Sequence, residues 1–481
     1  MEARVGEEPY DLVVVGGGSA GSACAAEAVK LGHERTLVVN DGELGGLCIL
    51  CGCMPTKTLL HPADLLHELR AARAFGIDVE LRGVDMAALQ ERRRKLVARF
   101  QRGKVTAMGS GGYEILDARA RFVAEDAVEA LLRDGTTRRI RARAFLVSTG
   151  SKQYVPETEG VADSPFWTSD DALLADEIPS SIVVLGSGAI GLEFASYFAA
   201  LGSRVTQLVR TRVLHRGDDE EFSTAYENAL RHVGVDVRTH AALRSVAHGP
   251  DGFDVVFEQD GSTETLRAER LLVATGRVPA LDHLDLERAG VHLHGARPVL
   301  DDTLRCSNPR IFFAGDATGE RLILHTGNAE GRHVARNLRR LFAGEELVPW
   351  RERVPISAIF THPPYAECGL TEHHARLEGL DVVSAKKEWA TQGRGIVMGQ
   401  EPGATFVKLV AERPSSRLVG CQILGPRADD LVHVVSTAMS LGGTARDLVG
   451  MPWYHPTLSE AFIELARELA RACERSERRA R

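Results

Sequence analysis

A chain of 481 residues that is 44% hydrophobic and 26% charged, with a formal net charge of −8, reads as a soluble globular protein of about three domains. It shows no basic excess that would point to nucleic acid, and no window reaches the ~18 uninterrupted apolar residues of a membrane span, so neither partner is expected. The start, Met1 to Pro9, is acidic and too polar for a signal peptide, which makes the cytoplasm the expected location.

The first predicted strand, Leu12 to Val15, runs into Gly16, Gly18 and Gly21, and an Ala-rich helix is predicted from Ser22 to Leu31. A G-x-G-x-x-G turn between strand and helix lets the backbone approach a pyrophosphate at the helix N-terminus. The next strand, Thr36 to Val39, would normally end in an acidic residue for an adenosine ribose. Asn40 stands there, with Asp41 beside it. An amide both donates and accepts, so Asn40 is assigned to the ribose, with Asp41 the alternative after a small shift of register.

Gly45 to Lys57 reads GGLCILCGCMPTK, with Cys48, Cys51 and Cys53 inside six residues and only five further cysteines elsewhere. In a regular helix positions i and i+5 lie roughly 8 to 9 Å apart, beyond the about 7 Å a disulfide tolerates. A Cys48–Cys53 bridge therefore requires a distorted helix start, which Gly52 would ease, whereas Cys48 and Cys51, roughly 5 Å apart in a regular turn, would fit without one. Geometry leaves both pairs open. A zinc site from these three thiols lacks a fourth ligand at a usual spacing, so no metal is expected. In a cytoplasmic chain a cluster of this kind points to catalysis or metal binding before a structural staple.

Gly-Gly-x-Cys, four residues, Cys, x-Pro-Thr and Lys resembles the redox-active stretch of the flavin-dependent pyridine nucleotide-disulfide oxidoreductases, the family of lipoamide dehydrogenase, glutathione reductase and mercuric reductase. The resemblance implies that Cys48 and Cys53 pair, that Gly46 lies against FAD, and that Lys57, with Glu193 as ion-pair partner, tunes the flavin. Cys51 departs from the family pattern. It is either a small buried side chain or a competitor for the disulfide that inactivates part of the protein on oxidation. The fold implied is α/β, with two Rossmann-like dinucleotide-binding domains and a C-terminal α+β dimerisation domain. The expected boundaries are 1–155 with 277–348 for FAD, 156–276 for NAD(P), and 349–481 for the interface.

Downstream, Leu59 to Leu116 reads as mostly helical, and its basic run from Arg92 to Lys104 as a solvated helix face. Ala118 to Phe145 reads as short strands that turn at Asp134 and Gly135. FLVSTG, ending in Thr149 and Gly150, resembles the family's first return to the flavin, and Pro156 and Pro165 mark a linker. A second fingerprint follows the strand from Ile182: Gly186, Gly188 and Gly191, then a helix from Leu192 to Leu201, 170 residues after the first. Two nucleotide sites are implied, so one chain brings two dinucleotides together. Arg210, Arg212 and Arg216 follow the strand Arg204 to Val209 where an acidic residue would select NAD. Guanidinium groups there suit the 2′-phosphate of NADPH, although Gly191, at a position where glutathione reductase-like members carry Ala, favours NADH.

Gly276 and Arg277, in LLVATGRVP, resemble the return from the nicotinamide domain, with Arg277 facing that nucleotide. Asp316, in IFFAGD, resembles the family's second flavin element, where a ribityl hydroxyl is its partner. His325, in LILHTGNAEG, is either close to the isoalloxazine or a core or capping residue. From Pro349 the pattern turns to strands at Ala358 to Phe360, Thr405 to Val410 and Val419 to Leu424, with helices at Asp429 to Leu441 and Glu460 to Ala472. This resembles the interface domain of two-fold dimers. The tail from Cys473 is expected to fray, and it offers no C-terminal cysteine pair of the kind some thioredoxin and mercuric reductases carry.

His455-Pro456-Thr457-Leu458-Ser459-Glu460 matches the H-P-T-x-x-E of disulfide-reducing members, which implies that His455 reaches the partner subunit's cysteines and Glu460 orients it. The same residues also suit a capping box, with Thr457 as N-cap and Glu460 three positions on. Thiol exchange requires protons to move on and off sulfur, and histidine's ordinary pKa of ~6.5 suits both directions. Trp453 and Tyr454 are expected to narrow the disulfide channel. The expected activity is electron transfer from NADPH, or NADH, through FAD and the Cys48/Cys53 disulfide to a small-molecule disulfide, by a homodimer. The alternatives are an NAD-linked dihydrolipoyl dehydrogenase, a metal or quinone reductase, and a non-catalytic redox sensor.

Overall fold

The computed structural model describes residues 8–214 and 219–480, with side chains to Arg475. Two compact units emerge: one from the chain up to Thr58 with Ala88–Tyr154 and Gly276–Glu352, the other from Leu59–Ala87, Val155–Thr275 and the chain from Arg353 onward. The segments expected for the nicotinamide nucleotide and for the interface thus fall in one unit, and Leu59–Ala87 joins them, not the flavin segment.

In the first unit the strand Tyr10–Val15 lies parallel between Thr36–Asn40 and Thr137–Val147, and Ile311–Phe313 adds on beyond the latter. Leu12, Val13 and Val14 are wholly buried, as an unbroken apolar run requires when both faces of a parallel sheet are covered. One face carries the helices Ser19–Lys30 and Leu324–Ala343. These two approach closely because small residues line the seam: a Cβ on Gly331 would stand 2.2 Å from the Ala20 carbonyl oxygen, and one on Gly327 would stand 2.9 Å from Gly315 Cα. Glu114–Ala124, Ala127–Leu132 and Thr137–Val147 form an antiparallel excursion that caps the other face around Phe122 and Phe145.

The stretch predicted as mostly helical is two helices, Cys53–Ala71 and Met86–Gly109, with a short 3₁₀ turn at Ala72–Phe75 and irregular chain between. Gly76, at φ 77°, ends the 3₁₀ turn in the left-handed conformation that glycine permits, and the strand Glu114–Ala124 begins before the expected limit. Pro62 sits inside the first helix. Having no N–H, it leaves the Thr58 carbonyl without its helical donor, and Arg92 Nη1 supplies one at 3.0 Å. The basic run is therefore not simply a solvated face: Arg92 is committed there, Arg93 is buried on Gln90, and Lys104 turns inward.

In the second unit a parallel sheet runs in the order Arg270–Val273, Ser181–Leu185, Arg204–Leu208, Val235–Arg238, beside an antiparallel meander of Ala242–Gly249, Gly252–Gln259 and Ser262–Ala268. A five-stranded antiparallel sheet, Ile356–Ile359, Tyr365–Gly369, Leu418–Leu424, Phe406–Glu412 and Val382–Glu388 in spatial order, packs on Ala428–Ser440 and Ala461–Ala480. The expected fraying from Cys473 is corrected. Phe462, Leu465, Ala466, Leu469 and Cys473 are all buried, so the three-to-four-residue apolar period continues through Cys473 and carries the helix to Ala480. No helix among the described residues is long and apolar enough to cross a membrane.

Lys408, almost fully buried, is held by Asp219 at 2.6 Å, Glu372 at 2.7 Å and Glu221 at 3.2 Å. Burial alone would raise the Glu372 pKa, but the hydrogen bonds from Lys408 and Ser384 and the Lys408 charge outweigh it and hold that carboxyl at about 2. A carboxylate depressed on folding adds stability above its unfolded value near 4.5, and that contribution is lost as pH falls toward 2. Lys408→Met will leave buried carboxylates uncompensated and lower stability by about 3 kcal/mol at neutral pH. Denaturant unfolding should show the gap between variant and parent narrowing between about pH 4.5 and 2; a constant gap would show that the pairs are inert.

Candidate active site

The first glycine turn is built by backbone contact. Gly16, at φ 104°, has space for no Cβ, which would meet the Ser148 carbonyl oxygen at 2.4 Å; one on Gly21 would meet the Gly16 oxygen at 2.1 Å. Gly18 begins the helix Ser19–Lys30 with no side-chain cap, so the helix's first N–H groups remain for an anion. Asn40, the last residue of its strand, accepts from Gly17 N at 3.0 Å and donates to Gly42 O at 2.9 Å. Asp41 instead pairs with Arg133 at 3.0 Å and Arg119 at 3.4 Å, so the residue held against the glycine turn is the amide. Thr149 Oγ1 is buried and meets no partner among the described residues, and Gly150 follows at φ 77°. An uncapped helix start, glycines in contact with backbone and an orphaned hydroxyl fit a dinucleotide.

Asp316 Oδ2 accepts from Ser151 Oγ at 2.6 Å, and the same hydroxyl accepts from Arg277 Nε at 2.8 Å, with Arg277 Nη2 on Ser151 O at 2.7 Å. Arg277 was expected to face the nicotinamide nucleotide. Its Nε and Nη2 tie the residues after Gly276, itself at φ 124°, to Ser151. His325 is exposed in the first turn of its helix, which removes the core reading. Two residues escaped the sequence reading. Glu330 accepts from Gly315 N at 2.7 Å, and burial pushes its carboxyl up to about 7; its only signal was the seam of Gly327 and Gly331 around it. Lys104 Nζ donates to Ser22 Oγ at 2.5 Å, and burial lowers its pKa while the Cys48 sulfur opposes that shift. The disguise there was a basic run that looked solvated.

The cysteine stretch is a broken helix: Gly46–Leu50, then Cys51 and Gly52, then Cys53–Ala71. The break brings Cys48 and Cys53 into side-chain hydrogen-bond contact, the pair that needed a distorted helix start. Gly52 permits it, since a Cβ there would meet Leu47 O at 2.8 Å and Cys48 Cα at 3.2 Å. Gly46, at φ 71°, lies so close to Gly18 that a Cβ would stand 2.8 Å from its Cα, so the thiols ride on the first glycine turn. Cys51 is half-buried, not enclosed. The Cys53 thiol and then burial hold the Cys48 thiol far above the ordinary range, while the Lys57 charge pulls it down. Two thiols in contact do not both ionise, and the second proton is the one held. Gly52→Ala will displace Cys48 and slow disulfide turnover by about a hundredfold with flavin content intact; stopped-flow turnover beside flavin absorbance checks this.

The second glycine turn repeats the first. Gly186, at φ 108°, would put a Cβ 2.4 Å from Ala274 O, and Gly188 opens the helix Ala189–Leu201 with no side-chain cap. Gly191 would put one 2.8 Å from Gly186 O. Glu193 on this helix is 3% exposed, with Oε1 accepting from Phe360 N at 3.1 Å. Arg210 is exposed just past the strand, whereas Arg212 is taken up by Glu220 at 3.0 Å and Glu227 at 3.4 Å. Arg216 lies outside the described residues.

At the other motif the capping box forms, and its glutamate also meets the histidine. Glu460 Oε2 accepts from Thr457 N at 2.8 Å, as a helix cap, while Oε1 meets His455 Nδ1 at 3.0 Å. The Thr457 N–H, and then the imidazole, hold this carboxyl below the usual range, so it stays ionised through neutrality. With Nδ1 on the carboxylate, Nε2 is the nitrogen turned away from Glu460, and the His455 side chain is 78% exposed. Trp453 Nε1 donates to Leu448 O at 2.9 Å and its ring packs on Phe462. Tyr454, 85% exposed, is the residue that faces out.

A doubled glycine turn, a facing thiol pair and a carboxylate-held imidazole define an electron-transferring thiol enzyme. Residues 10–336 match the pyridine nucleotide-disulphide oxidoreductase family model and residues 355–466 match its dimerisation domain; the chain belongs to this family, whose members are FAD-dependent enzymes that use a pyridine nucleotide and act on sulfur groups. It is 33% identical to a mercuric reductase of Streptomyces lividans, over 96% of this chain and 95% of that one. It is 30% identical to a dihydrolipoyl dehydrogenase of Geobacillus stearothermophilus, over 95% of each. Among solved structures it resembles the flavoprotein disulfide reductase RclA of Escherichia coli, with a TM-score of 0.81 and 25% identity over 95% of this chain and 99% of that one. LpdA of Mycobacterium tuberculosis gives a TM-score of 0.83 and 25% identity with the same coverage.

Proposed function

We propose that the protein is a cytoplasmic homodimer that carries two electrons from NADPH to a small organic disulfide, with Cys48 and Cys53 as the relay and His455 of each chain serving the thiols of the other. The observation that supports this most is the pairing of Cys48 with Cys53 in a chain whose His455 is already oriented by Glu460. When bound, FAD supplies hydride acceptance from the nicotinamide and two-electron delivery to the relay disulfide. The residues that would hold it are Gly16, Gly18, Gly21, Asn40, Gly46, Thr149, Gly150 and Asp316, with the Lys57 charge to tune it. Gly186, Gly188, Gly191 and Arg210 would hold the nicotinamide nucleotide.

The sulfur steps follow from thiol exchange. Cys48, deprotonated by His455, attacks one substrate sulfur; the substrate S–S bond breaks, and the leaving thiolate takes the proton from His455. Cys53 then attacks Cys48 Sγ in the mixed disulfide, which releases the second substrate thiol and restores the Cys48–Cys53 disulfide. A cluster positioned for exchange also suits a reducing compartment.

A panel of lipoamide, glutathione and coenzyme A disulfides, assayed with both NADPH and NADH, tests the proposal; turnover of Hg²⁺ or quinone but of no disulfide would overturn it. Arg210→Glu will shift the NADPH to NADH preference in kcat/KM by about tenfold or more, the usual scale for a lost charge-assisted phosphate contact. An unchanged ratio would remove the NADPH assignment.

A further inference from the structure

A second pair of sulfurs lies in the C-terminal sheet, on residues the relay does not use. Cys368 and Cys421 are directly opposite each other on the antiparallel strands Tyr365–Gly369 and Leu418–Leu424. Leu370 N donates to Val419 O at 2.8 Å two positions along the same register. Hydrogen-bonded pairs alternate along an antiparallel ladder, so Cys368 and Cys421 belong to that class, with Cα atoms roughly 5.5 Å apart. A disulfide spans about 4.4–6.8 Å. Opposite residues of a ladder point to the same face, and both side chains are buried with their thiols in hydrogen-bond contact. Cys368 Sγ also lies 3.8 Å from Met439 Sδ and 3.9 Å from Val432 O.

We propose that Cys368 and Cys421 are a modification site: a second dithiol that peroxide closes to a cross-strand disulfide, independent of the catalytic pair. One thiol takes an oxygen from hydrogen peroxide, becoming a sulfenic acid and releasing water. The other sulfur displaces the hydroxyl, forming the S–S bond, and that hydroxyl leaves as a second water with the last thiol proton. Two electrons pass from the sulfurs to the peroxide. Burial, and then the neighbouring Cys368 thiol, keep Cys421 protonated, and the thiolate is the reactive form. Cys368 and Cys421 are each only 1% exposed, whereas Cys48 and Cys53 are half-buried, so peroxide reaches the sheet pair later and it closes after the catalytic pair. Once closed, it restricts the unfolded chain by joining strands far apart in sequence.

The test is full-length holoenzyme treated with hydrogen peroxide, alkylated in denaturant and mapped by peptide mass, alongside unfolding midpoints with and without dithiothreitol. The expected result is a linked Cys368–Cys421 peptide that appears after the Cys48–Cys53 peptide, with a midpoint several degrees higher that dithiothreitol reverses. Cys421→Val, which keeps the apolar volume, should lose both the peptide and the shift. Full alkylation of Cys368 and Cys421 after complete oxidation of the catalytic pair would overturn the proposal, as would their sulfinic acids without a link. The wild-type map decides the matter even if the variant does not fold.

Discussion

Cys48→Ser protein will accept electrons from NADPH and reduce no disulfide. The serine keeps the shape of the Gly46–Leu50 turn but cannot supply a thiolate, and loss of a nucleophile from a coupled catalytic unit lowers turnover by about a thousandfold or more. Cys53 would remain beside the place expected for the flavin, so reduction by NADPH in the absence of oxygen should still proceed, with a long-wavelength thiolate-to-flavin absorbance. Cys53→Ser should lose that absorbance as well as turnover. The paired variants separate the roles: if Cys48→Ser kept its rate with every disulfide in the panel, electrons would leave the flavin by another route.

His455→Ala will lower kcat/KM for disulfide by about 10²–10⁴, the range for a removed general acid–base, while NADPH still reduces the relay. The loss should be smaller for a substrate whose departing thiol is acidic, because that sulfur needs less help with its proton. Glu460→Gln should fall between parent and His455→Ala, since an amide still holds Nδ1 but no longer favours the protonated ring. Stopped-flow separation of the reductive and oxidative half-reactions reads this directly. Equal slowing of both halves would place His455 in structure and not in proton transfer.

Much of this was legible because the family's chemistry is carried by contiguous stretches. The glycine turns, the cysteine run and the histidine–glutamate motif each need a fixed local backbone, and the strands beneath them are unbroken apolar runs that have one reading in a buried parallel sheet. What was illegible depends on chain distant in sequence. Spacing left Cys48 with two possible partners, and only the break at Cys51 and Gly52 brings it to Cys53. The tie from Arg277 to Ser151, on another strand, left no mark in the local sequence. Glu330 carried no motif, because its perturbation comes from burial beneath Gly315. The terminal helix was cut short on the strength of its charges, although the apolar period ran on through Cys473.

One carboxylate both stops the terminal helix from unwinding and holds the imidazole: Glu460 gives one oxygen to the Thr457 N–H and the other to His455. The orientation of that imidazole is thereby conditional on folding, because a chain whose last helix has not formed leaves the ring with no fixed tautomer.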